Sequence, residues 1–366
     1  MAHRKQGGLG LLAAVLLLAA SAHAEVQVET VADGFGQPWC IAFLPSGDML
    51  ITERGGALHR LEPSGERRPI DGVPPVFARS QGGLFDVLPA PDFATSQRLY
   101  LSYAHGDGKA NALRVATATL VETALEDLTV VFEAAPLKDT PVHYGGRMAW
   151  LPDDTLLVTT GDGFDYREAA QGLDNHLGKT IRIDTDGKAP ADNPFTGDPD
   201  ALDEIWTYGH RNPQGIAVDP VTGHVFQHEH GPKGGDEVNR LVAGNNYGWP
   251  AISYGLDYNG AYVTPFVAYP GMEQPLLHWT PSIAPAGLAV YRGELFPGWN
   301  GNLLATALVE QSLRRVEVDA SGKLVNQSVV VSGLGRLRDV RVAPDGSIYL
   351  LDESAGRILR LVPEGN

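Results

Sequence analysis

One arrangement of apolar and polar positions recurs along the chain. An apolar run stops at a turn carrying Pro or Gly, usually with Asp, and a second apolar run follows. It reads Ile41-Ala-Phe-Leu-Pro45-Ser-Gly-Asp-Met-Leu-Ile51, then Leu84-Phe-Asp-Val-Leu-Pro-Ala-Pro91 leading to Leu99-Tyr-Leu-Ser-Tyr103. It returns as Met148-Ala-Trp-Leu-Pro152-Asp-Asp-Thr-Leu-Leu-Val158, Ile216-Ala-Val-Asp-Pro220, Leu288-Ala-Val-Tyr-Arg-Gly293 and Val340-Arg-Val-Ala-Pro344-Asp-Gly-Ser-Ile-Tyr-Leu350. Short apolar runs between Pro and Gly turns are strands, not helices. The turn positions 45, 91, 152, 220, 293 and 344 lie 46, 61, 68, 73 and 51 residues apart. A four-stranded propeller blade takes roughly 40–50 residues, and the excess belongs to loops.

Six such units predict an all-β, six-bladed β-propeller with loop insertions on one face. Only 22 residues follow Pro344, too few for a whole blade. The spare alternating segment Val26-Gln-Val-Glu-Thr-Val31 is expected to supply the missing outer strand and close the ring. Uneven insertions argue against a β-helix or a sandwich array. The stretch 162–199 is expected to form a lid or edge element with a short helix around 169–177.

Composition changes the picture at the N-terminus. His3, Arg4 and Lys5 precede an apolar run from Leu9 to Ala20, and Ala22-His23-Ala24 suits a cleavage site, so residues 1–24 are expected to be an export signal. The domain organisation expected is that signal followed by one catalytic propeller over 25–366, periplasmic or secreted. Removing 24 of the 366 residues leaves 342, and losing Arg4 and Lys5 takes the formal net charge from −16 to −18. Such an acidic chain without a basic stripe argues against nucleic acid. No apolar run after the signal is long enough to span a membrane. The lone Cys40 cannot form an internal disulfide and sits in an apolar run, as a buried thiol would.

Loops that enter the innermost strands of a propeller meet at the mouth of its channel. Here they are residues 80–83, 143–146, 209–215, 280–285 and 336–339, carrying Gln81, His143, Arg211, Asn212, Ser282, Arg336 and Arg338. Three arginines aimed at one point suit a ligand with several carboxylates or phosphates. His143, beside Gly145 and Gly146, is the side chain suited to take a proton near neutral pH. The stretch 204–249 is the densest: Gly209-His-Arg-Asn-Pro-Gln-Gly215 and Glu229-His-Gly-Pro-Lys-Gly-Gly-Asp-Glu237 flank one strand pair and are expected at its opposite ends. The Gly231 and Pro232 carbonyls with Asp236 and Glu237 suit an oxygen-seeking cation such as calcium. His224, His228 and His230 lack further ligands at zinc spacing and are expected to be structural. No dinucleotide fingerprint is present.

Taken together these motifs resemble the soluble pyrroloquinoline-quinone (PQQ)-dependent sugar dehydrogenases, most closely the periplasmic aldose sugar dehydrogenase branch. The likeness runs from Pro38 to Leu361 and also includes Gln81-Gly-Gly-Leu84, His143-Tyr-Gly-Gly-Arg147, Thr160-Gly-Asp162, His176-Leu-Gly-Lys179, Asn246-Tyr-Gly-Trp-Pro250 and Arg336-Leu-Arg-Asp339. The resemblance implies oxidation of aldoses at the anomeric carbon to lactones, with electrons passed to a separate acceptor. It makes His143 the base and Arg211 the group polarising the quinone that receives hydride. It assigns Gln81, Asn212, Asp236, Ser282, Arg336 and Arg338 to the cofactor or its loop, and places Gln81 and Asp162 near the sugar. It gives the Gly231 and Pro232 carbonyls a catalytic calcium, and Glu237 with the Tyr247 carbonyl a structural one. Two departures stand out. Val309 replaces a cofactor-binding lysine, leaving backbone groups of Leu308, Val309 and Glu310 to serve there, and Leu277 stands where certain relatives have a pocket Tyr. The rival readings are a calcium-dependent lactonase-type propeller and a non-catalytic binding propeller. The first is disfavoured because the axial loops offer Arg and His in place of carboxylates.

Overall fold

The computed structural model describes Met1 and residues 26–365. The expected export signal and its cut after Ala24 lie outside the described residues. Six four-stranded antiparallel sheets are arranged as blades. Their innermost strands are Pro38–Phe43, Leu84–Pro89, Gly145–Trp150, Pro213–Val218, Pro285–Val290 and Leu337–Val342. Each packs against the next, and the sixth packs against the first, so the ring is closed. Every predicted Pro or Gly turn falls just after an innermost strand, where it ends the strand and reverses the chain.

Blade 6 is built from both ends of the described chain. Leu337–Val342, Ile348–Asp352 and Arg357–Pro363 are joined by Val26–Ala32 as the outermost strand. Val26 lies opposite Pro363 and Ala32 opposite Ile358, in antiparallel register. This is the closure that the alternating N-terminal segment predicts.

Apolar side chains fill the spaces between blades, with Leu50, Leu84, Leu99, Leu101, Val158 and Ile181 fully buried in the largest cluster. The channel lining is different. Innermost strands of blades 2, 3 and 6 place Asp86, Arg147, Asp339 and Arg341 together. Arg341 lies 2.9 Å from each carboxylate and Arg147 lies 3.0 Å from Asp339. Opposite charges alternate, which offsets the cost of burying each one. The Cys40 thiol, 2.7 Å from Asp86, is buried beside them, and burial foremost, then Asp86, pushes its pKa up.

The stretch 162–199 is not a single lid. Antiparallel strands alternate direction, so successive connections fall on opposite faces. Residues 161–178 lie on the face where the innermost strands begin, then Lys179–Ile183 forms a blade strand, and the next connection lies on the other face. The helix expected around 169–177 is instead a 3-10 turn at Arg167–Gln171. It stops at Gly172, and Asn175 takes over the local hydrogen bonding by donating to the Ala169 carbonyl and accepting from the Leu177 amide.

Candidate active site

Two sets of connections reach the same face: those entering each innermost strand and those joining the second and third strands. Together they line a cavity of about 220 Å³. The first set contributes Gln81, Tyr144, Gly145, Asn212, Gln214, Ala284, Arg336 and Arg338; the second contributes Arg54, His230, Leu308 and Glu353. Trp39 and Phe85 complete the lining. Arg336 and Arg338 both bind Glu353, through Nε contacts of 2.9 and 2.7 Å. Burial alone raises the Glu353 pKa, but the two guanidiniums outweigh it and hold it below its ordinary value. With Arg54, which donates to Gln37 at 2.8 Å, three arginines and one glutamate line the cavity, so it retains positive charge. Arg54 and Glu353 carry no motif of their own, and only the blade geometry reveals them.

Beside this cavity stands a histidine–aspartate pair. His143 Nδ1 lies 2.7 Å from Asp162 Oδ1, both side chains buried. Asp162 also accepts from the Phe164 amide at 2.8 Å and, through Oδ2, from Trp249 Nε1 at 2.8 Å. An ionised carboxylate only accepts, so Nδ1 carries the proton and Nε2 is the bare nitrogen. Burial lowers the His143 pKa, Asp162 raises it, and Arg211 and Lys138 lower it again, the net being down. Asp162 is pushed up by burial but held below its usual value by His143, Arg211 and the Phe164 amide. Both Asp162 oxygens are thus committed to protein donors, and through Oδ1 it holds the histidine ring.

The local backbone explains the placement. His143 has φ +51° and Gly145 φ +70°. A Cβ on Gly145 would stand 2.5 Å from the Thr159 carbonyl oxygen, so only glycine lets the loop turn here. The His143 amide donates to Gln81 Oε1 at 2.9 Å, joining two entering loops.

Arg211 is buried. Its Nη1 donates to the carbonyls of His230 at 3.0 Å and Gly231 at 2.8 Å, and its guanidinium lies 5.3 Å from the Trp249 ring. The two dense loops of the 204–249 stretch therefore meet at the same end of their hairpin. A second cavity of about 150 Å³ opens over Arg211, lined by Phe164, Asp165, Arg167, Pro232, Trp249, Asp257 and Tyr258. Of its aromatic wall, Trp249 lies in a motif the sequence singles out, while Phe164 and Tyr258 do not. Leu277, by contrast, is buried among Val238 and Trp279 of blade 4 and takes no part in the wall.

Several other expected site residues are engaged in holding loops together, and of these only Leu308 also lines the first cavity. Asp236 Oδ1 accepts from the Gly231 amide, and Oδ2 accepts from Ser282 Oγ and the amides of Ile283 and Ala284. Asp236 and Ser282 therefore pin the 231–235 loop from below. The amides of Leu308, Val309 and Glu310 donate to the carbonyls of Ala284 and Ile283. Val309 is 61% exposed and Glu310 is paired with Arg314, so backbone donors do not replace the missing lysine. Glu237, Tyr247 and Gly231 line a small third cavity with Glu229. Among the described residues no three His, Cys, Asp or Glu side chains form a metal cluster, and His230 and His228 instead bond the carbonyls of Pro285 and Gly287.

The family model for Glucose / Sorbosone dehydrogenase matches residues 35–360. This chain belongs to that family. As a glucose/sorbosone dehydrogenase family member it is an oxidoreductase. It is 40% identical over 355 residues to aldose sugar dehydrogenase YliI of Escherichia coli, covering 94% of each chain. The apo structure of the soluble aldose sugar dehydrogenase from Escherichia coli superposes with a TM-score of 0.89 at 38% identity, covering 93% of this chain and all of that one. The PQQ-bound aldose sugar dehydrogenase of Streptomyces coelicolor gives 0.76 at 28% identity, covering 93% and 98%. The family match reaches all six blades and leaves outside it the closing strand Val26–Ala32.

Proposed function

We propose that the protein oxidises aldose sugars at the anomeric carbon to lactones, using PQQ and passing the electrons to a separate acceptor. The observation that carries this reading is a cavity walled by three guanidiniums beside a buried histidine whose free nitrogen is fixed by an aspartate. A flat polycarboxylate suits the first, and removal of a hydroxyl proton suits the second. The PQQ-bound relative supports the cofactor.

The residues present fit the quinone. Arg336, Arg338 and Arg54 would face its carboxylates, with Asn212 and Gln81 at the rim. When bound, the quinone supplies the hydride acceptor. His143 takes the anomeric hydroxyl proton at Nε2, and Asp162 stabilises the imidazolium that results. Arg211 would supply a fixed positive charge beside the reacting groups. Phe164, Trp249 and Tyr258 shield the sugar side from water.

The donor set also fits calcium. The carbonyls of Gly231 and Pro232 belong to a loop pinned by Asp236, and the Gly231 carbonyl accepts from Arg211. Glu237 is mostly buried beside Glu229. Burial first, then Glu229, pushes its carboxyl well up, which a cation held with the Tyr247 carbonyl would reverse. The test is reconstitution with PQQ and calcium, followed by dye reduction with aldoses. The expected result is turnover that requires both additions. Lactone hydrolysis without aldose oxidation would overturn the proposal.

A further inference from the structure

Lys138 is a buried amine that the proposed chemistry leaves without a part. Its Nζ donates to Asn111 Oδ1 at 3.1 Å and to the Thr140 carbonyl, and lies 3.5 Å from the centroid of the Tyr144 ring. The Tyr144 hydroxyl donates to the same Asn111 oxygen at 2.6 Å, so amine and ring share one anchor. All of these neighbours are neutral. A buried cation held by neutral groups is costly, which makes it a functional candidate.

The cage reaches both segments that carry the histidine–aspartate pair. Thr140 and Tyr144 belong to the loop that presents His143. Thr140 Oγ1 donates at 2.6 Å to the carbonyl of Gly163, the residue after Asp162. A Cβ on Gly163 would stand 2.8 Å from Lys138 Cδ, so the lysine stem packs directly against that turn. Lys138 and His143 also line one void of about 10 Å³ with Asn111, Tyr144 and Thr160. Such a space holds about one water, so little solvent screens the cation from the imidazole. Lys138 lines neither the guanidinium-walled cavity nor the one over Arg211, and its influence on the reaction runs through the pair.

We infer that Lys138 is a positioning residue for the base: its ammonium keeps the His143 imidazole unprotonated, ready to accept the sugar's proton. The inference rests on the proposed aldose oxidation with His143 as base. Asp162, Arg211 and Lys138 are the charged groups that face His143, and Asp162 and Asp139 are those that face Lys138. Asp139 accepts from the Tyr166 hydroxyl at 2.7 Å, and both Asp162 oxygens are engaged by the donors described above. Burial brings the Lys138 pKa down from 10.5 to about 7, against the pull of Asp162 and Asp139. Burial also holds His143 below its ordinary 6.5. As pH falls, Lys138 therefore gains its charge first and opposes a proton on His143.

The experiment uses full-length protein loaded with PQQ and calcium, as wild type, Lys138→Gln, Lys138→Met and Lys138→Arg. Gln keeps donors for Asn111 and Thr140 without the charge, Met keeps neither, and Arg keeps the charge. The His143 pKa is read by NMR of ring-labelled histidine, with His143→Gln identifying its signal. The acid limb of kcat/KM, which reports the sugar-free enzyme, is read by dye reduction with glucose. Lys138→Gln and Lys138→Met should raise the His143 pKa and move the acid limb to higher pH. Each shift should be about 0.5–1 unit, less than a charge in direct contact gives. Lys138→Arg should leave both near their wild-type values. A His143 pKa that stays put or falls in the uncharged variants overturns the inference. So does an equal rise in Lys138→Arg, since packing and not charge would then be at work. If Lys138→Met fails to fold, Lys138→Gln decides alone. If no aldose is oxidised, the oxidation reading fails, and the NMR titration still decides whether Lys138 governs His143.

Discussion

Replacing Asp162 by Asn separates the charge of this residue from its shape. Three donors converge on the carboxylate: His143 Nδ1, the Phe164 amide and Trp249 Nε1. Asn offers one acceptor oxygen and places an NH2 group against at least one of those donors. One unsatisfied buried group should cost about 1–3 kcal/mol of stability. The loss in turnover should be larger, about 10²–10⁴-fold, because the imidazolium formed on proton removal loses its counter-charge and its fixed tautomer. The pH profile gives the sharper test. His143 must be neutral to accept a proton, so the rate falls as pH drops through its pKa. Burial already lowers that pKa and Asp162 raises it, while Arg211 and Lys138 lower it. Without the carboxylate only the lowering influences remain, so the acid limb should move to lower pH while the plateau falls. The assay is single-turnover cofactor reduction by an aldose across pH, with cofactor affinity measured by fluorescence as a control. An acid limb that stays put or moves upward would refute the reasoning, as would a plateau lowered less than tenfold.

Three further outcomes are expected. Lys179 is fully buried with Nζ donating to the carbonyls of Ala169, Ala170 and Leu177, so Lys179→Met should lose about 2–3 kcal/mol in denaturant unfolding. Burial lowers the Lys179 pKa from 10.5 to about 7, so between these values the unfolded chain binds more protons and rising pH favours the fold. The Met variant should lack that share of the rise, and an unchanged slope would refute the assignment. Chelation of the calcium-loaded protein should release PQQ and lower Tm by mass action, and a protein that keeps both would exclude functional calcium. N-terminal sequencing of exported protein should begin at Glu25, and a retained Met1 would defeat the export reading.

The blades were legible because each repeats one local event, an apolar run ended by a Pro or Gly turn. The loops entering the innermost strands followed from that pattern. The second set of loops did not, because Arg54 and Glu353 are ordinary charged turn residues until the sheets bring them together. Trp249 and Tyr258 reach the site from a connection whose path no periodicity describes. Polar residues beside a site loop read differently once their bonds are seen, Asp236 in the supporting role expected of it and Ser282 joined to it. Asp236 and Ser282 lie next to the right backbone, yet their hydrogen-bonding capacity is consumed in holding it. The 169–177 stretch read as helix because propensity counts Ala and Leu and cannot count the bonds Asn175 makes.

The join in blade 6 reaches beyond architecture. The circle is complete only when residues 26–32 meet residues 357–363. The guanidinium-walled cavity takes lining residues from all six blades, and its arginines fall on either side of the seam between this blade and its neighbour, with Arg54 on blade 1 and Arg336 and Arg338 on blade 6. A polyanion lodged there grips both sides and acts as a clasp. Binding there would favour the closed ring over any opened form, so free ligand concentration would add to how firmly the circle stays shut. Damage to the distant outer strand would then be felt first as ligand loss, before the remaining blades come apart.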